Sequence, residues 1–139
     1  MDEHGDPARR YLDDARAVAK DDGVDTGLRT KVTCTLVREA IEAKCHDLVL
    51  IEGVRAGRSI TELEAALEAT KALRQTLALA LLGDPTRDSE LNGRLSRLHP
   101  RAVRVVRDAN RGAHGSPVAG PLTELVSDAR ELVTRMEVR

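Results

Sequence analysis

Within the stretch "RVVRDANRGAH", residues 104–114, three arginines, an asparagine and a histidine recur at helical spacing: Arg104, Arg107, Asn110, Arg111 and His114. Guanidinium groups match phosphate oxygens in bidentate fashion. Histidine is the side chain that most readily gives or takes a proton near neutrality. Together these are the materials for handling a phosphodiester. On a helix that advances about 100° per residue, with Arg107 at 0°, His114 falls near −20°, Arg111 near +40°, Arg104 near +60° and Asn110 near −60°. Ala102, Val105, Ala109 and Ala113 fall on the opposite side, between about 160° and 240°. One face is small and apolar, fit for packing; the other suits a phosphodiester. A blander reading stands beside it, because surface helices of an arginine-rich protein often turn several arginines, and a histidine among them, to water.

The charge around this face is concentrated. From Arg94 to His114 there are six arginines (94, 97, 101, 104, 107 and 111) against the single acid Asp108, while the whole chain carries a formal net charge of only −1. A local basic strip on a nearly neutral protein is the footprint expected of a backbone reader. Aromatic residues make up 1% of the chain and Tyr11 is the only one. That excludes base recognition on a platform of rings, and it leaves the core to leucine, valine, alanine and isoleucine. The stretch 1–10, "MDEHGDPARR", is acidic and polar, unlike a secretory signal, and no apolar run approaches a membrane span, so a cytoplasmic protein is expected. Cys34 and Cys45 are too far apart on one helix for a disulfide, about 16 Å of rise. They read as buried hydrophobes in a reducing compartment. Arginine far exceeds lysine, as in proteins of GC-rich bacteria.

The elements that position the strip are helical throughout; at 139 residues the chain is expected to form one domain, residues 1–139, with residues 1–6 and the last few disordered. Asp6-Pro7 predicts a helix start, and the stripe Ala8, Tyr11, Leu12, Ala15, Val18 and Ala19 runs on toward Gly23. A long second helix is predicted from about Leu28 to Ile51, stopped by Gly53. Ser59 caps a segment that reads as one helix or as two broken near Thr70-Lys71, ending at Gly83. "DSELNGRLSRL" is a short helix, and His99-Pro100 punctuates before the helix that carries the arginines. A last helix from about Pro121 to Val138 shows a clean seam of Leu122, Leu125, Val126, Ala129, Leu132, Val133 and Met136. The predicted architecture is an all-α bundle of about five to seven helices.

Arg107, six intervening residues and His114 resemble the R-x(4–6)-H signature of the HEPN superfamily, small all-α domains that include many metal-independent endoribonucleases. Arg94-"LSRL"-His99 is a second match to the same signature. Three features favour the first: Asp108 is the polar residue that often follows the HEPN arginine; "NRGAHG", residues 110–115, resembles the family's context; and positions seven apart share a helix face. Arg94 and His99 lie about 140° apart, with His99 against a proline. "LVREAIEAKCHDLVL", residues 36–50, resembles the family's long second helix. The resemblance implies a two-fold dimer in which two motifs face each other across one cleft. It implies His114 as the acid/base for a ribose 2′-OH and Arg107 as the clamp on the phosphate, with Asp108 and Asn110 orienting them. Arg101, Arg104 and Arg111 would contact the RNA backbone. No cofactor and no metal are expected.

Other histidines offer less. His46 lies beside Cys45 and Asp47, but adjacent helical positions point about 100° apart and no second pair has ligand spacing. His4 falls in the terminal tail. The acidic "TELEAALEAT" is an amphipathic, solvated helix, and no phosphate loop, nucleophile elbow or zinc-protease motif is present. Two functions remain open on these residues: a metal-independent endoribonuclease of a bacterial toxin or phage-defence system, or a catalytically inactive HEPN-like module. The expected partners are RNA, a second copy of the chain and, in the second setting, an antitoxin, a nucleotidyltransferase or a defence ATPase. A plain helical scaffold without a site is the third alternative.

Overall fold

The structure, a computed structural model, describes residues 6–137, with side chains through Met136, and every regular element among them is helical. Seven helices follow in order: α1 (Pro7–Ala19), α2 (Thr26–Arg55), α3 (Ile60–Ala69), α4 (Leu73–Leu82), α5 (Asp88–Leu98), α6 (Ala102–Ala113) and α7 (Leu122–Glu137). The expected tails fall outside the described residues, except for Asp6, whose carboxylate accepts the Arg9 backbone N–H at 3.3 Å and caps α1 ahead of Pro7. Asp25 and Ser59 cap α2 and α3 in the same way, at 3.3 and 3.1 Å. The acidic segment and the apolar segment after it are two helices, α3 and α4. Gly83, in the left-handed region at φ 78°, closes the second.

The long helix α2 is the spine: α1, α3, α4, α6 and α7 all pack on it. It does not stop at Gly53. A Cβ there would overlap the Leu63 side chain of α3, so this glycine is a contact point inside the helix. Close approach favours glycine as strongly as termination does, and a single sequence does not separate the two uses. The expected seam of α7 is the buried side of that helix, with Leu125, Val126, Ala129, Leu132, Val133 and Met136 all in the core. Helix α4 is buried almost all round: Leu73 and every residue from Thr76 to Leu81 are shielded. The Thr76 hydroxyl meets Thr70 Oγ1 at 2.9 Å, which satisfies the one polar group there.

Both cysteines lie on the buried side of α2. Burial, reinforced by the nearby Asp108 charge, pushes the Cys34 thiol up to about 11; burial, with Glu42 secondary, raises Cys45 as well. Thiolate is the reactive form, so neither cysteine is expected to react with a soluble disulfide reagent at pH 8 until the protein unfolds. Immediate modification of either in the native protein would contradict this packing. Because the folded thiols resist ionisation, their contribution to stability is complete below the ordinary range near 9. It is lost as pH climbs toward 11.

Candidate nucleic-acid interface on α6

Helix α6 divides as its periodicity requires. Ala102, Val105, Val106, Ala109 and Gly112 are buried, while Arg104, Arg107 and Arg111 are exposed. The buried face sits tightly on α2. A Cβ on Gly112 would lie 2.8 Å from Cys34 Cβ and closer still to its Sγ, so α6 meets the spine nearly backbone to side chain. Asp108 stands at the edge of this face, only 5% exposed. Its two carboxylate oxygens receive Arg104 Nε and Arg107 Nε, each at 3.4 Å. Arg104 is further fixed by donating from Nη2 to the Ala119 carbonyl at 3.1 Å, across the turn that leads to α7. Arg107 is held by Nε alone, and its terminal nitrogens make no hydrogen bond to described residues. One buried carboxylate thus steadies two guanidiniums and leaves the outer fork of Arg107 for a ligand.

His114 is the C-cap of α6, exposed, with φ −87° and ψ 6°, near enough to helical to keep the bearing the wheel assigns it. It lies two turns beyond Arg107, about 10 Å along the axis. No hydrogen bond joins it to Arg107, Asp108 or Asn110. Asn110 is half-buried and lines a groove with Arg107 and Arg111. Of the arginines expected to contact a nucleic-acid backbone, Arg111 has no ion pair among the described residues, and Arg104 is shared with Asp108. Arg101 is committed elsewhere: its Nε donates to Asp128 on α7 at 2.9 Å, and that carboxylate holds the guanidinium firmly charged. The strip is therefore less basic in space than in sequence, because α7 brings acids to its first turn.

The second signature match resolves differently. His99 is 2% exposed, enclosed between α5 and α6. Its Nδ1 accepts the Arg101 backbone N–H at 3.1 Å, so that nitrogen carries no proton. Nε2 therefore holds it and donates to Glu131 Oε2 at 2.6 Å. His99, Asp128 and Glu131 lie close enough to resemble a metal-ligand cluster. In this arrangement, however, Nε2 is a donor with no lone pair to give, and Asp128 is already paired with Arg101. The group is a structural clasp between the α5–α6 corner and α7. His99→Ala is expected to cost about 2 kcal/mol in thermal or denaturant unfolding, from a cavity and an orphaned Arg101 N–H. An unchanged midpoint would show that the clasp is idle.

A groove runs beside the arginines, between α4, α5 and α6. Leu73, Val103 and Val106 form its apolar part, and Arg74, Asn92, Arg107, Asn110 and Arg111 its polar margin. Arg74 and Asn92 have no distinguishing spacing in the sequence; only the packing of α4 and α5 brings them to α6. No protein-family model, curated protein or solved structure matches the chain.

Proposed function

We propose that this protein is a metal-independent endoribonuclease of the HEPN type, working as a two-fold dimer in a bacterial toxin or defence setting. The observation that carries the reading is the face of α6. Arg107 is braced by buried Asp108, with its terminal nitrogens unbonded among the described residues, and exposed His114 shares its bearing two turns on. The competing Arg94–His99 pair has its histidine enclosed and hydrogen-bonded at both ring nitrogens.

In the proposed reaction His114 takes the proton from a ribose 2′-OH, and the freed oxygen forms a bond to the adjacent phosphorus. The bond from phosphorus to the 5′ oxygen of the next nucleotide breaks, and that oxygen is protonated by His114 of the second copy. The ends left are a 2′,3′-cyclic phosphate and a 5′-hydroxyl. Arg107 stabilises charge building on the non-bridging oxygens, with a fork that can engage two of them. Asp108 acts through Arg107 by fixing its Nε.

The test is cleavage of a labelled RNA by purified protein in excess chelator. Retained activity with cyclic-phosphate ends supports the reading. Loss in chelator with recovery on adding magnesium would overturn metal independence, and no cleavage under either condition would leave a binding module.

A further inference from the structure

The groove between α4, α5 and α6 raises its own question, because a strand handled by Arg107 must put a base somewhere and no ring lines this groove to receive it. Arginine can take that role. A guanidinium is flat, and bases stack on its face as they do on aromatic rings. Stacking needs a guanidinium that holds still. Arg74 is held at each of its three nitrogens: Nε donates to Asp88 Oδ1 at 2.7 Å, Nη1 to Asn92 Oδ1 at 2.9 Å, and Nη2 to the Asp88 carbonyl at 3.3 Å. Bonds from all three nitrogens fix the plane, two N–H groups stay open at its outer end, and Asp88 partly offsets the charge. The same groove is lined by half-buried Val103, with Val106 buried at its wall, and by Arg107 and Arg111. Apolar surface next to a fixed plane suits a base; two guanidiniums next to that suit its phosphate. Among the described residues Arg111 has no ion pair to give up on binding.

We infer that this groove is a base-binding subsite for a single-stranded RNA, with one base stacked on Arg74 near Val103 and its phosphate held by Arg107 and Arg111. The inference rests on RNA being what the α6 face handles. It adds a subsite that distinguishes a nucleotide from a bare sugar–phosphate chain.

The test measures binding by fluorescence polarisation. It uses a six-nucleotide 2′-O-methyl uridine oligomer, which lacks the attacking hydroxyl, and an abasic 2′-O-methyl oligomer of the same length. The wild-type protein is expected to bind the base-bearing oligomer about ten-fold more tightly. Arg74→Lys keeps the charge and removes the plane; it should erase that preference and leave abasic binding within about two-fold. Asn92→Ala, which frees one end of the guanidinium at an exposed position, should lower the preference in the same direction without changing charge. Arg111→Ala should weaken both oligomers alike. Equal binding of the two oligomers by the wild type, or a preference that survives Arg74→Lys in a variant with an unchanged melting temperature, would overturn the subsite. If that equal binding still depends on Arg107, RNA handling by α6 stands without it; no binding of either oligomer removes both.

Discussion

His114→Ala is expected to lower RNA cleavage by about 10²–10⁴-fold, the range supplied by a positioned acid or base. The effect should fall on the chemical step. His114 is exposed at the end of α6 and makes no side-chain hydrogen bond to a described residue, so its removal should move stability by less than about 0.5 kcal/mol. Binding of the uncleavable oligomer should be nearly unchanged, and added imidazole should restore part of the rate. Arg107→Ala should also reduce cleavage, by about 10²–10³-fold, but with weaker oligomer binding, because the guanidinium serves both the bound phosphate and its transition state. Single-turnover cleavage with parallel binding curves separates the two. Wild-type cleavage by the His114 variant would remove the proposed chemistry, whatever became of RNA binding.

Gly112→Val is expected to destabilise the protein by about 3 kcal/mol or more, near the upper end of what overpacking costs. The reason is local. The position is buried, and the added carbon would lie 2.8 Å from Cys34 Cβ, nearer to its sulfur and 3.0 Å from Val118 Cγ2. Neither Cys34 nor the α2 backbone behind it can retreat, since five other helices pack on that spine. Cys34→Ala in the same chain removes the sulfur and should recover part of the loss, making the pair strongly non-additive in urea unfolding. Gly93 supplies the contrast. It is exposed within α5 with nothing within 4 Å of an added Cβ, so Gly93→Ala should stabilise by about 0.5–1 kcal/mol. Unfolding midpoints for these variants and for Cys34→Ala alone decide it; a neutral Gly112→Val would show that α6 does not rest on α2 as described.

The sequence carried the helices well because leucine and valine at three- and four-residue spacing leave few other ways to bury them. The α7 seam and the apolar side of α6 are both readable from residue spacing alone. The caps at Asp6 and Ser59 were local and therefore visible. Gly53 misleads because its role depends on Leu63, ten residues on and in the next helix, α3. The site was readable only along α6. That Asp108 would be buried beneath two arginines, that Arg101 would be taken by Asp128, and that His99 would find Glu131 are facts of tertiary pairing, with no local trace. Arg74 and Asn92 were invisible for the same reason.

The enclosure of α4 has a consequence for how the chain is made. From Gln75 to Gly83 it carries no charge, and its leucines are covered by α2, α5 and α6. On the ribosome α4 emerges before α5 and α6 exist, so for that interval a sticky uncharged segment has only half its cover. The quantity most sensitive to changes in α5 and α6 should therefore be the yield of soluble protein, ahead of the melting temperature of the molecules that complete folding.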